Sequence, residues 1–410
     1  MISVEEAVDR IAGSVSAVGV ETVPLLEALD RILARDVVAS LDVPRFSHAT
    51  VDGFAIHRED VEETASGKPI LLRVIRTVRA GSSARRPVKP GTAIRIMTGA
   101  PVPAGTHAVV KEEHTTRAGE GTNSIRVERT IAPTENVAAA GHDVRRGDLV
   151  LAKGSSVGPG GIACMASLGV QKAPLFRKPR VALLSTGAEL VSLEEDLGPG
   201  KIFASSFYFL YARLRKSGCV PVPLGITRDN RREIERRIRS GLAADAIITV
   251  GGTRRGDSDW VKNIYDHLRI DSRVDGVAVS PGKSFIFGLL RGKPLFSLPG
   301  TPSACMVAFE ELVRPALGKM RGEPGDPGTP GLTVRMPLAE SLHGERGLRK
   351  YVLARVTLQQ GKLTAIPLGR EHRGALTAMV QANGMVILSE DTTEVETGED
   401  VPVRLLDWRF

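Results

Sequence analysis

At 410 residues the chain is too long for one ordinary core and predicts two to four domains. Its 42% hydrophobic and 25% charged residues are those of a soluble globular protein, and it has no run of ~18 apolar residues to span a bilayer, so no membrane partner is expected. The net charge of +8 suits nucleic acid, lipid headgroups or a phosphorylated small ligand; with aromatics at 4% and no basic block interleaved with them, no nucleic-acid partner is expected.

The acidic start, Met1 to Gly13, lacks the basic and apolar regions of a signal peptide. The cysteines Cys164, Cys219 and Cys305 stand far apart, which argues against zinc and a disulfide scaffold and fits a reducing, cytoplasmic compartment. In chain order, residues 2–40 predict two helices, the first capped by Ser3 and the second running from Pro24 through Ala34. From Leu41 to Pro133, short apolar runs cut by Gly and Pro (Ile70–Val74, Ala93–Met97, Ala108–Val110) predict a β-rich module. Ala138 to Lys153 is turn-rich, and Gly158 to Gly169 predicts a short helix.

The periodicity then turns to α/β. Buried strands are expected at Arg180–Gly187, Val220–Ile226 and Asp245–Val250, and helices at Ser205–Lys216, Arg231–Leu242 and Asp257–Leu268. β segments at Val274–Val279, Phe285–Leu290 and Pro294–Leu298 precede a helix over Pro302–Met320. This alternation predicts a parallel sheet with helices on both faces. Arg321 to Gly331 has the composition of a linker, and the remainder predicts short strands (Lys350–Leu358, Leu363–Pro367, Met385–Leu388, Asp400–Leu405) without helical periodicity, in a small barrel or sandwich.

Ligands of open parallel sheets bind outside the carboxyl ends of the strands. Those ends carry Ser185-Thr186-Gly187, Gly251-Gly252-Thr253 and Pro299-Gly300-Thr301. Glycine lets backbone approach a phosphate, and helix N-termini beyond it present free N–H groups. Glu189, Asp257 and Asp259 follow these turns; a carboxylate there either holds Mg²⁺ or, for the two aspartates, caps the next helix. Lys283, in Ser280-Pro-Gly-Lys283-Ser284, is a candidate for neutralising an anion. No GxSxG, HExxH or Walker pattern supplies a nucleophile or metal site.

Five strings in order carry a resemblance. They are Pro44-Arg-Phe-Ser-His-Ala-Thr-Val-Asp52-Gly-Phe-Ala55, Arg95-Ile-Met-Thr98-Gly-Ala-Pro-Val-Pro103-Ala-Gly, Leu184-Ser-Thr-Gly187, Ser297-Leu-Pro-Gly300-Thr-Pro302 and Ala382-Asn-Gly-Met-Val-Ile387. Over essentially its whole length the chain resembles the molybdopterin molybdenumtransferases, the MoeA/gephyrin E-domain family. The resemblance implies a multidomain α/β plus β fold. Its parts are a discontinuous helical linker domain (1–40 with 136–173), a β-rich inserted domain (41–135), a doubly wound, MogA-like molybdopterin-binding domain (174–325) and a C-terminal β barrel (326–410). It implies insertion of molybdate, the substrate oxyanion, into adenylylated molybdopterin, with release of AMP and with Mg²⁺ as cofactor. A homodimer and a molybdopterin adenylyltransferase partner are also implied. The residues carried over are Asp259, Glu189, Asp229, Asp52 and Asp143 as catalytic groups, with Glu189 and Asp259 also on the metal. Thr98, Ser185, Thr186, Gly187, Gly251, Gly252, Lys283, Pro299, Gly300 and Pro302 are carried over as substrate contacts.

The chain departs from the family pattern around the same pocket. Ala188 stands before Glu189 where the family has Asp, Ala138-Ala-Ala140 and His142 replace an arginine-rich string ending in Glu, and Thr253-Arg-Arg-Gly256 replaces Ser-Val-Gly. Ser280 and Ser284 flank Lys283 where the family has Lys and Pro, Ala204-Ser-Ser206 replaces Asp-Ser-Asn, Thr301 replaces Asn, and Leu348 lies where an Arg precedes the aromatic Tyr351. Two readings are therefore carried forward. One is a working insertase with a re-cut pocket; the other is a catalytically weakened paralogue that binds pterin, nucleotide, oxyanion or a protein partner, or that serves a specialised or tungstate-using cofactor maturation.

Overall fold

The computed structural model describes residues 1–82, 86–118, 123–228, 230–252, 260–325, 331–359, 361–368 and 375–406. Its largest core surrounds a six-stranded sheet built from β1 (Arg180–Thr186), β2 (Val220–Thr227), β3 (Ala246–Val250), β4 (Asp271–Asp275), β5 (Ile286–Leu290) and β6 (Lys293–Leu298). The spatial order is β2-β1-β3-β6-β5-β4. The first four strands are parallel, and β5 and β4 add an antiparallel edge. The pure parallel sheet expected from the α/β alternation thus gains a mixed edge. Its cause is local: β5 and β6 are joined by Arg291 and Gly292, both at positive φ (51° and 76°), and a two-residue turn of that kind joins only antiparallel neighbours.

Side chains of β1 alternate between two cores, as a strand covered on both faces requires. Val181 and Leu183 pack with Phe207, Leu210 and Leu214 of α1 (Ser205–Lys216) and with the helical stretch beyond Pro302. Ala182 and Leu184 pack with Ile234 and Ile238 of α2 (Arg231–Ser240) and with Ile264, Tyr265 and Leu268 of α3 (Trp260–Leu268). The helix Val4–Gly13 joins the first core through Val4, Ala7, Val8 and Ile11, and Ser3 Oγ accepts from Glu6 N at 3.1 Å, the predicted cap.

The second predicted helix does not form. Val20–Pro24 is a strand paired with Lys172–Phe176, and Leu25–Ala28 is a single 3₁₀ turn. The partner strand lies some 150 residues away in sequence, and such a pairing overrides local helical pattern. The predicted short helix near 158–169 is present as Pro159–Ser167.

The β-rich region forms a separate six-stranded sheet in the order Thr106–Lys111, Gly53–His57, Thr92–Ile96, Ile70–Val78, Ser124–Val127, Thr115–Arg117. A Cβ on Gly53 would meet the Val110 carbonyl oxygen at 2.0 Å, so this position accepts only glycine. The C-terminal strands Thr333–Pro337, Asp400–Leu405, Gly384–Leu388, Arg349–Gln359 and Lys362–Pro367 hydrogen-bond in that sequence, and the Leu338–Ala365 bridge returns the last to the first. That bridge closes a small barrel. A helix at Ala375–Gln381, which the sequence did not announce, packs against the Arg349–Gln359 strand; seven residues are too few to show periodicity. Among the described residues no helix is long and apolar enough to cross a membrane.

The stretch after β6 runs as α4 (Pro302–Ala308), one π turn (Phe309–Val313) and a last helix (Arg314–Met320). The π turn turns Glu310 and Glu311 into the interior. Glu310 pairs with Arg213 of α1 and with Arg314. Glu311 reaches across to the barrel, where Arg404 lies 3.3 Å away and the Tyr351 hydroxyl donates to it at 3.1 Å. Burial pushes the Glu311 carboxyl above its usual range despite these partners. Glu311→Ala should therefore remove the buried carboxylate that Arg404 and Tyr351 share and cost about 3–5 kcal/mol, read as a lower urea midpoint. A variant as stable as the parent would show that the Glu311 carboxylate does not fasten the barrel.

Candidate functional site at the strand ends

The chain passes from β1 outward to β2 and then back across to β3, so strand order reverses between β1 and β3. A crevice opens at that reversal, outside the carboxyl ends. Register brings the ends level: Ser185 lies opposite Val250, and Val250 opposite Leu298. Ser185 and Thr186 are buried, and three backbone turns follow at the same height. Gly251 has φ +97°, and a Cβ there would sit 2.1 Å from the Thr186 carbonyl oxygen. Gly300 would place a Cβ 3.4 Å from the Gly251 Cα. Thr186-Gly187 and Gly251-Gly252 therefore meet with backbone against backbone at Gly251, where a side chain would overlap the Thr186 carbonyl, and Gly300 packs against Gly251 at van der Waals distance.

Hydroxyl groups tie this layer together from below and from the side. Thr249 and Ser297 share a buried hydrogen bond of 2.8 Å, and the Tyr265 hydroxyl of α3 lies 3.1 Å from Ser297 Oγ. Ser206, in the first turn of α1, donates to the Gly300 carbonyl at 3.0 Å. Both α1 and α4 begin at this end without a side-chain cap, and Pro302 occupies the opening turn of α4. Their first N–H groups thus face the end of the sheet where an anion would be received.

Glu189 is exposed, and its carboxylate folds back over the first turn, 2.8–3.0 Å from where a Gly187 Cβ would stand. Lys283 lies on a turn beside α4: a Gly282 Cβ would come within 3.8 Å of the Ala304 carbonyl. Its ammonium group pairs with Glu345 of the barrel at 3.0 Å. Asp229 and Asp259, together with Thr253, Arg254, Arg255 and Asp257, lie outside the described residues. Among the described residues no group of three His, Cys, Asp or Glu side chains is spaced to hold a metal ion.

Asp52 and Thr98 form a second group, on the β-rich sheet. Asp52 Oδ1 accepts from the Thr98 backbone N–H at 2.7 Å and from its hydroxyl at 2.8 Å. Arg95, bound to both Glu112 carboxylate oxygens at 2.9 Å, adds its field nearby. The connector bearing Asp143 lies against the loop before Asp52: Asp143 N donates to the Val43 carbonyl at 3.0 Å and Ala140 N to Ser47 Oγ at 3.2 Å. Asp143 itself is exposed and 3.2 Å from His142 Nδ1. Within one chain, then, Asp52, Thr98 and Asp143 belong to one neighbourhood and the strand-end residues with Glu189 and Lys283 to another.

Comparison with known proteins places this arrangement. Residues 2–169 match the MoeA N-terminal region (domain I and II), residues 182–319 a probable molybdopterin binding domain, and residues 335–406 the MoeA C-terminal region (domain IV). Proteins named molybdopterin molybdenumtransferase from Staphylococcus epidermidis and Bacillus subtilis are 34% and 33% identical to it. Both alignments cover 99% of this chain, and 96% and 94% of those proteins. The chain belongs to the molybdopterin molybdenumtransferase family. Two crystal structures of the molybdopterin biosynthesis MoeA protein of Pyrococcus horikoshii superpose with TM-scores of 0.86 and 0.83. Their identities are 30% and 28%, with 99% of this chain covered in each and 99% and 100% of theirs.

Against the family pattern, the structure explains some of the departures. At Ala204-Ser-Ser206 the buried Ser206 spends its hydroxyl on the Gly300 carbonyl, a bond that holds two turns of the site together. Where the family pattern has Arg, Leu348 is buried and closes the short turn whose first residue is Glu345. Nothing in the spacing of the sequence singled out Glu345, because its partner Lys283 is 62 residues away.

The Asp52 carboxyl is held below the usual carboxylate range, first by the Thr98 backbone N–H, then by its hydroxyl, with Arg95 adding to the effect. Thr98→Val keeps the first bond and removes the second, so the Asp52 pKa should rise towards, without reaching, its ordinary value in a carboxyl-carbon NMR titration. The lowered folded value means that this contribution to stability is present above the unfolded pKa and is lost as pH falls through the folded one; the variant loses less over that window. An unmoved Asp52 titration would show that the hydroxyl bond does not hold the charge.

Proposed function

We propose that this chain inserts molybdate into adenylylated molybdopterin and releases AMP, in a cytoplasmic, Mg²⁺-dependent reaction. The observation that carries the reading is the convergence of the Thr186-Gly187, Gly251-Gly252 and Pro299-Gly300 turns, backed by uncapped starts of α1 and α4. Such a surface offers N–H donors to the phosphoryl oxygens of an adenylylated pterin without bulk in the way. The reaction exchanges ligands at molybdenum and hydrolyses a phosphoanhydride, so it asks for anion binding and positioned carboxylates more than for a protein nucleophile.

The donor chemistry suits Mg²⁺: exposed Glu189 offers a carboxylate at the mouth of the crevice, and Asp259 is the second proposed ligand. Bound there, the ion would polarise the phosphoanhydride oxygens. The chain's own residues would do the rest: the glycine turns seat the phosphates, Lys283 neutralises one oxyanion, and Asp229 serves as a further catalytic carboxylate. Asp52, Thr98 and Asp143 sit on another sheet of the same chain, and we infer that a second copy brings them to the crevice in a homodimer. The four-part division at residues 41, 136, 174 and 326 follows the same reading, with a molybdopterin adenylyltransferase as the donor of substrate. Binding without turnover is the competing reading, favoured by the missing family charges and by Lys283 already being paired.

With adenylylated molybdopterin, molybdate and Mg²⁺, the full chain should release AMP in a chromatographic assay. Chelation with EDTA should stop that release, and Asp259→Ala should slow it on the order of 100-fold. Ligand bound without AMP above background would establish the binding-only reading instead.

A further inference from the structure

The Ser280–Ser284 turn offers Lys283 to an anion, yet it already faces one. Glu345 Oε1 lies 3.0 Å from Lys283 Nζ, and the Ser280 hydroxyl bonds the same carboxylate. We propose that Glu345 is an internal stand-in for the substrate's oxyanion, a specificity-determining carboxylate that the incoming phosphoryl group or molybdate displaces from Lys283. The proposal rests on the insertase reading of the site.

The placement of both partners is built in. Val279–Ser280 adds to the barrel sheet as a parallel neighbour of the Arg349–Gln359 strand, with Ser280 opposite Lys350. This fixes the lysine turn to the barrel, while Gly282 lies against the first turn of α4, next to Pro299-Gly300. Glu345 opens a tight turn closed by Leu348 N on the Glu345 carbonyl at 3.0 Å, with Gly347 at φ +77° and its N–H on the Glu390 carbonyl. The carboxylate is thus presented from a short, bonded loop and does not reach Lys283 by chance from a long one. Of the cations nearby, Arg346 follows Glu345 on the same turn and is exposed, Lys350 donates from its ammonium to the His343 carbonyl at 2.7 Å, and Arg349 is paired with Glu5 and Glu390. Lys283, Ser280 and Lys350 together hold Glu345 in its charged form.

The strength is that of a device meant to be displaced. Lys283 and Glu345 are each 47% exposed, and exposed pairs are weak. A doubly charged oxyanion that also gains N–H donors from the uncapped start of α4 outcompetes a lone carboxylate, while a weaker monoanion does not. Glu345 therefore raises the threshold for occupancy of the turn and biases it towards highly charged tetrahedral anions.

Isothermal titration calorimetry on the full chain tests this, with AMP and with molybdate titrated separately at fixed ionic strength. Glu345→Gln should bind AMP or molybdate about two- to five-fold tighter than the parent, the range of an exposed ion pair. Lys283→Gln should bind less tightly, and adding Glu345→Gln to it should change nothing further. Thermal midpoints of all variants establish that each is folded. Tightening with AMP alone assigns the turn to the phosphoryl group, tightening with molybdate alone assigns it to the oxyanion, and either supports the proposal. Glu345→Gln binding both anions no more tightly, or acting equally without Lys283, overturns it and leaves the insertase reading standing. A parent protein that binds neither anion overturns both together.

Discussion

The Thr186 carbonyl oxygen and the Gly251 Cα stand so close that one methyl group between them would have to overlap the oxygen, at 2.1 Å. Everything at this end of the sheet depends on that approach. It lets the β1 and β3 turns sit side by side across the strand-order reversal, and it leaves room for Gly300 to close in from β6. The N–H groups of Gly187 and Gly251 are spent on the Thr227 and Leu298 carbonyls, so the turns are fixed by the sheet, and the free donors at this end belong to the uncapped starts of α1 and α4. The buried Thr249–Ser297–Tyr265 hydroxyls beneath then hold β3, β6 and α3 in one register.

Charge is distributed around this neutral backbone platform and comes from several parts of the chain. Glu189 stands at the mouth, Lys283 at one side, and Glu345 arrives from the barrel to pair with it. The barrel is itself fastened to the sheet's helices by the π turn that buries Glu310 and Glu311 against Arg213, Arg314, Arg404 and Tyr351. A shift of the barrel would therefore be felt at Lys283 through Glu345 and through the Val279–Ser280 strand that both share. At the position where the family pattern has Asn, Ser206 ties two turns of the site together through the Gly300 carbonyl.

Much of the parallel core was legible in the sequence, since buried strands such as Arg180–Thr186 read as continuous apolar runs and helices such as Ser205–Lys216 as amphipathic ones. The glycines at the strand ends were legible too, since a strand that stops on Gly-Gly is making a turn too tight for side chains, as Gly251 is against the Thr186 carbonyl. The second predicted helix, Pro24 through Ala34, failed because backbone pairing of residues 30–34 with residues 155–157 and 174–175 decides the conformation and no local pattern records it. The antiparallel edge turned on two residues, Arg291 and Gly292, and the helix at Ala375–Gln381 was too short to carry a period.

By itself the sequence determined what is local or periodic: the long, strongly patterned strands and helices of the α/β core, where the backbone must turn on glycine, and, through its five motif strings, the family. Only the tertiary structure decided what is brought together from afar. It set Gly251 against Thr186 and Gly300, separated Asp52 and Thr98 from the crevice within one chain, and laid Glu345 on Lys283. Chain pattern encodes each element's own faces, but contacts between elements depend on the order of strands and the docking of modules, which the burial of whole surfaces selects.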